Sequence, residues 1–218
     1  IGLGRIFGLS LPENFRQPYL ACSVTEFWTR WHMSLSTWFR DYLYIPLGGN
    51  RRGTTRTVLN LLVVFFLCGL WHGAAYTFVV WGLFHGFLLL VERILKVRWG
   101  LVPRGWAGRA LTFGLVIVGW VVFRATSLDQ VHVFLSTMAG LHSAPSPTFD
   151  ATYYLTNNVV VYLAFAIICA FWPERSLLPR QVEPVLRAIR PPAILGLTAL
   201  AIVAQAPQSF NPFIYFQF

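Results

Sequence analysis

The chain has 218 residues, 56% hydrophobic and only 11% charged, where soluble domains carry about 25% charge. Nine Trp and nineteen Phe add an aromatic load of the kind found in bilayer-interface belts. A soluble globular domain is excluded, and the formal charge of +9 does not argue for nucleic acid. Sixteen of the 17 basic residues are Arg, clustered between apolar runs at Arg51-Arg52-Arg56, Arg93-Lys96-Arg98-Arg104-Arg109 and Arg175-Arg180-Arg187-Arg190. The positive-inside rule puts such clusters on cytoplasmic loops.

Residues 1–20 are turn-rich, with Pro12, Asn14 and Pro18 breaking any long helix. The opening Ile1-Gly2-Leu3-Gly4 shows neither an initiator Met nor a basic leader, and reads as the interior of a longer sequence. Ser23-Val24-Thr25-Glu26 fits a capping box. From Val24 the apolar residues Phe27, Trp28, Trp31, Leu35, Trp38, Phe39 and Tyr42 recur at three- and four-residue steps. The spacing predicts one amphipathic helix, ended by Pro46 and Gly48-Gly49-Asn50. Because it also carries Glu26, Arg30, His32, Arg40 and Asp41, it belongs at the interface or beside an aqueous cavity.

Residues 51–57 read as a basic loop. From Val58 to Val91 there is no Lys, Arg, Asp or Glu, a run too long for one crossing of about 20 residues and suited to two. It divides into Val58–Trp71 and Ala74–Val91 around His72-Gly73. Glu92–Arg109 reads as a second basic loop, and Ala110–Phe123 as a third apolar run. Ala125–Thr156 reads as a weakly charged loop, and Asn158–Trp172 as a fourth apolar run. Pro173–Pro192 is again basic, Ala193–Ala206 a fifth run, and an aromatic tail closes the chain from Phe210 to Phe218. The runs are short for full spans, which suggests a thinned bilayer or helices that stop beside cavities. The expected fold is an all-α integral membrane bundle, with short and interfacial helices around a cavity, in one domain over residues 1–218.

Chemistry points first to His72, the ionisable residue at the centre of the uncharged run. At membrane depth such a residue is costly and marks a functional site by default. A neutral imidazole can take a proton from a hydroxyl, as a general base must, and Gly73 leaves room for a substrate beside it. His32 comes second: Trp28, His32, Ser36 and Arg40 are spaced by four and would share a stripe able to meet His72 across a cavity. Trp31 and Trp71 join that aromatic wall. Arg30 and Arg40 could grip phosphate or carboxylate, or form an ordinary interfacial set with Asp41. His85 either lines the same cavity or packs, while His132 and His142 sit in loop sequence. Cys22, Cys68 and Cys169 show neither metal spacing nor a disulfide framework, and no phosphate-loop, Rossmann or serine-elbow motif occurs. No bound cofactor or metal is expected. These residues leave three readings open: an enzyme, a channel or transporter with a histidine-lined path, and an inactive scaffold.

Three stretches carry a resemblance: Glu26-Phe27-Trp28-Thr29-Arg30-Trp31-His32-Met33-Ser34-Leu35-Ser36, then Phe39-Arg40-Asp41-Tyr42-Leu43-Tyr44-Ile45-Pro46-Leu47-Gly48-Gly49, then Leu70-Trp71-His72-Gly73-Ala74. With the ending Asn211-Pro212-Phe213-Ile214-Tyr215-Phe216, they resemble the membrane-bound O-acyltransferase (MBOAT) family, in its bacterial alginate O-acetyltransferase-like branch. The resemblance covers essentially the whole chain, which matches the C-terminal half of members roughly twice as long. It implies that His72 is the family's essential histidine and His32 its second functional residue. It also implies transfer of an acyl group, most simply acetyl, from a cytoplasmic thioester such as acetyl-CoA to a hydroxyl of an extracytoplasmic polysaccharide. Transfer could be direct or through a periplasmic SGNH-type acyltransferase partner. The implied location is the bacterial inner membrane, crossed several times.

Overall fold

A computed structural model describes residues 1–141, 151–171 and 183–205. The Asn211–Phe216 ending, the aromatic tail, His142, Arg175 and Arg180 lie outside the described residues. Every regular element among the described residues is helical. The chain divides into two compact units, Ile1–Trp172 and Pro173–Phe218.

The first unit holds α1 (Gly2–Ile6), α2 (Val24–Arg30), α3 (Met33–Phe39), α4 (Gly53–His72), α5 (Tyr76–Trp99), α6 (Gly105–Arg124), α7 (Leu128–Met138), α8 (Ala151–Tyr154) and α9 (Asn157–Phe171). Helices α4, α5 and α6, with 20, 24 and 20 residues, are long and apolar enough to cross a membrane. They exceed the uncharged runs because they continue through charged residues at their ends: Arg56 lies within α4, and Glu92 to Arg98 within α5. Arg and Lys tolerate such positions by burying their stems and extending their charges to water, and at the end of α5 they complement the helix dipole. The basic loops at 51–57 and 92–109 are therefore mostly helix, and these three spans need no thinned bilayer. The loop expected over 125–156 contains α7, which carries His132, and α8. In the second unit, α10 (Glu183–Gln205) runs through Pro191 and Pro192, where a break was expected because proline lacks the N–H that closes a helical turn.

The amphipathic helix expected from Val24 is not continuous. It stops after Arg30 and restarts at Met33, with His32 between them in the left-handed region (φ 45°, ψ 54°). For a residue with a Cβ this conformation costs about 1–2 kcal/mol. The N-terminal segment compensates by satisfying the backbone groups freed at the break. Asn14 accepts from Met33 N through its carbonyl (2.9 Å) and from Ser34 N through Oδ1 (3.0 Å), while Arg16 N donates to Arg30 O (2.9 Å). A wide π-helical turn over Arg40–Tyr44 then follows α3, with Ile45 N donating to Arg40 O (2.9 Å). At the start of α2, Ser23 caps Glu26 N (3.1 Å) as the capping box requires. Glu26 itself reaches Cys22 N (2.8 Å) and Arg30 in place of the Ser23 N–H.

Helices α4 and α5 are antiparallel and packed backbone to backbone. A Cβ on Gly82 would lie 2.2 Å from Phe65 O, and one on Gly69 2.4 Å from Phe78 O. Small residues permit this approach, and close packing is what holds helices together where lipid supplies no hydrophobic drive. The buried Asn60 amide ties α4 to the preceding turn, donating to Gly49 O (2.9 Å) and Leu47 O (3.3 Å).

Candidate active site

The α4–α5 turn places His72. It is the last residue of α4, and Gly73 follows at φ 155° with no room for a Cβ, which would meet the Phe78 ring at 2.7 Å. His72 thus stands at the end of a span and not at mid-depth, because the helix that begins at Gly53 has used its full length there. Its ring is caged edge-to-face by Trp71 (4.8 Å between centroids), Phe123 (5.0 Å) and Trp81 (5.1 Å), with Phe78 at 6.3 Å. Each such pair contributes about 0.5–1.5 kcal/mol beyond its buried area, so packing from α5 and α6 fixes the plane of the imidazole. Among the described residues no hydrogen bond engages His72. The residue is half-buried. His32 Nδ1 and His85 Nδ1 are buried with no hydrogen-bond partner among the described residues.

His32 approaches the same corner from the α2–α3 break. Its ring lies 6.3 Å from Trp71 and 6.1 Å from Phe15. His32 and His72 therefore flank Trp71. Burial holds the His32 imidazole below its ordinary value, because the charged form loses water there.

A cavity of about 550 Å³ lies between α2, α3, α4 and α5. On α4 it is lined by Leu61, Val64, Phe65 and Cys68, a single helical stripe that His72 continues one turn beyond Cys68. Trp28, Ser36 and Arg40 line the opposite wall. These three still share a surface although the helix between them is broken, because the break turns the chain around the cavity. His32 and His72 are not in its lining but lie past its Cys68 and Met33 ends. Arg40 is exposed and pairs with Asp41 (2.7 Å), which raises the Arg40 and lowers the Asp41 proton affinity. Arg30 is held by Glu26 (2.8 Å) and does not line the cavity.

Four residues of the expected lining lie elsewhere, Gly73 among them, beside His72 at the end of α4. Trp31 stacks on Phe27 (5.5 Å, 17°) and meets Trp120 (6.1 Å). Trp71 is largely exposed beside the two histidines. His85 is 2% exposed, shut between Trp28 (5.2 Å) and Trp81 (5.1 Å). A Cβ at Gly119 would strike its Nε2 at 2.7 Å. His85 packs; it does not line the cavity.

Sequence reading missed Trp81, Glu92 and Arg93. Trp81 is four residues before His85 and so shares its face of α5, a signal that was available. Glu92 accepts from Val24 N (2.7 Å) and Thr25 N (3.2 Å), capping α2 from another helix. Arg93 lines the cavity near Tyr44. Burial raises the Tyr44 phenol while the Arg93 charge opposes that rise. Among the described residues no three His, Cys, Asp or Glu side chains gather as a metal site would require.

The chain matches the profile of MBOAT, membrane-bound O-acyltransferase family, over residues 3–129. It is 39% identical over 238 residues to a probable alginate O-acetylase AlgI of Pseudomonas putida, covering 100% of this chain and 48% of that protein. It is 53% identical over 132 residues to the probable alginate O-acetylase AlgI of Pseudomonas aeruginosa, covering 59% of this chain and 25% of that protein. To the peptidoglycan O-acetyltransferase of Helicobacter pylori it is 41% identical over 145 residues, 65% of this chain and 28% of that protein. The chain spans about half the length of the Pseudomonas putida relative.

Proposed function

The chain belongs to the membrane-bound O-acyltransferase family, and from that premise we propose that it carries the catalytic histidine of an O-acyltransferase. An acetyl group would pass from a cytoplasmic thioester such as acetyl-CoA to a hydroxyl of an extracytoplasmic polysaccharide, or to the serine of a periplasmic SGNH-type partner. His72 takes the proton of the accepting hydroxyl, and the oxygen attacks the thioester carbonyl. The tetrahedral adduct collapses to the ester and a thiolate, which recovers the proton from the imidazolium. His32, whose proton affinity burial lowers, orients the acceptor or steadies the oxyanion. Limited access of water favours transfer over hydrolysis.

The observation that carries this reading is the state of His72: its plane fixed by rings on several sides, half-buried, and engaged by no hydrogen bond among the described residues. The placement of charge supports the topology. The start of α4, the end of α5 and the start of α6 carry Arg51, Arg52, Arg56, Lys96, Arg98, Arg104 and Arg109, so these ends face the cytoplasm of an inner membrane crossed several times. His72 then stands at the far face, where an extracytoplasmic acceptor arrives.

The test is His72→Ala in the intact protein. Acetyl transfer from labelled acetyl-CoA in isolated membranes should fall by at least about 10²–10⁴, the usual worth of a general base, with an unchanged membrane level of the protein. Retained transfer at normal expression would refute the assignment of the base.

A further inference from the structure

Resting on the reading above, we propose that Arg93 is the residue that recognises the donor, its guanidinium taking the phosphates of a pantetheine thioester laid along the cavity with its acyl end towards His72. Arg93 is half-buried and lines the cavity. The acids and the other cation nearby are committed elsewhere. Glu92 accepts from the α2 backbone, and Arg40 is forked onto Asp41 (2.7 and 3.2 Å). Among the described residues no ion pair or hydrogen bond engages Arg93. An unneutralised guanidinium in a largely apolar cavity presents five donors suited to phosphate oxygens.

Length supports the same occupant. Trp81 touches the His72 ring, and twelve residues further along α5 stands Arg93, a rise of about 18 Å. A pantetheine arm has about thirteen bonds from phosphorus to sulfur, two of its links being amides. Extended like a peptide it spans about 16 Å. A phosphate on Arg93 therefore carries the thioester to the neighbourhood of His72. Thr29 and Ser36 line the wall beside Val64 and Phe65; their hydroxyls donate to Glu26 O (2.7 Å) and Trp31 O (3.3 Å), which leaves their oxygens to accept from the two amide N–H groups. A membrane phospholipid offers the same phosphate chemistry, and the experiment separates the two sources.

CoA and pantetheine share the arm and the thiol, and CoA adds the phosphates and nucleoside. Each is titrated calorimetrically into the intact protein, in dodecyl maltoside micelles and again in phosphatidylglycerol vesicles. Wild-type protein should bind CoA at least about tenfold more tightly than pantetheine, the worth of one charge-assisted hydrogen bond. Arg93→Gln should remove most of that ratio in both media, and Arg93→Lys should keep part of it. Because the ratio is taken within one protein, partial misfolding of a variant does not alter it. Equal binding of the two ligands by the wild type, or binding of neither, overturns the proposal. A wild-type ratio in Arg93→Gln overturns it too, and an effect confined to micelles, lost where phosphatidylglycerol can occupy the guanidinium, assigns Arg93 to lipid. No acyl transfer is measured, so failure of this proposal is distinct from failure of the His72 assignment.

Discussion

Gly82→Ala tests whether contact between α4 and α5 sets the site. The added Cβ would sit 2.2 Å from Phe65 O and 3.2 Å from Gly69 Cα, both of them backbone atoms that no rotamer change can move. Regaining ordinary contact needs the helices to part by about 1 Å, and overpacking of this kind costs about 1–3 kcal/mol. Replacing glycine inside a helix also returns about 0.5–1 kcal/mol of backbone entropy. Gly114 on α6, where an added Cβ meets nothing within 4 Å, is the control that receives only that gain. The difference between Gly82→Ala and Gly114→Ala therefore isolates the clash. Denaturant unfolding of the intact protein in micelles, followed by tryptophan fluorescence, should place Gly82→Ala about 1–3 kcal/mol below Gly114→Ala. Displacing Trp81 from His72 by about 1 Å should also lower acyl transfer, up to about 10²-fold. Equal stability of the two variants, or greater stability of Gly82→Ala, would refute the packing argument.

Two further outcomes follow from the break at His32. Asn14→Ala removes the side-chain acceptor of Ser34 N and should cost about 1 kcal/mol, as loss of a helix cap does, read as a lower unfolding midpoint. The folded His32 titrates below its ordinary 6.5, so in acid the unfolded chain binds a proton that the folded chain refuses. Its contribution to stability is complete above 6.5 and is lost as the pH falls from there towards the lowered folded value. The wild-type unfolding midpoint should accordingly fall more steeply than that of His32→Asn between about pH 7 and 5, and parallel profiles would show that burial does not perturb His32.

Local signals in the sequence reached some parts of this structure and not others. The uncharged stretch from Val58 to Val91 announces two helices with a turn at Gly73, because both the apolar drive and the glycine act within a few residues. The Ser23 cap is equally local. Charge does not mark the helix ends: Glu92 and Arg93 lie inside α5, since a helix end at an interface tolerates charge. The break at His32 was invisible for another reason. Nothing in Trp31-His32-Met33 forbids a helix, and the backbone bonds that stabilise the interruption come from Asn14 and Arg16, distant in sequence. Trp81 and Phe123 enclose His72 from two other helices, a meeting that periodicity along a single segment does not encode.

The separation of Arg93 from His72 has a consequence for how an acyl group could cross the bilayer. Carrying an anionic donor through the apolar layer would expose several phosphate charges to a medium that penalises each one heavily. In the proposed arrangement the charges stay at the basic end of α5, and only a neutral arm extends along the Val64–Phe65–Cys68 wall. Under that proposal the ester would form at the far end of α4, so that translocation of the acetyl group and its transfer would become one event. That economy requires the base to stand at a helix end and not at mid-span, and it requires the wall between to be apolar. Both are properties of α4: its cavity-facing stripe from Leu61 to Cys68 carries no charged residue, and His72 is its last residue.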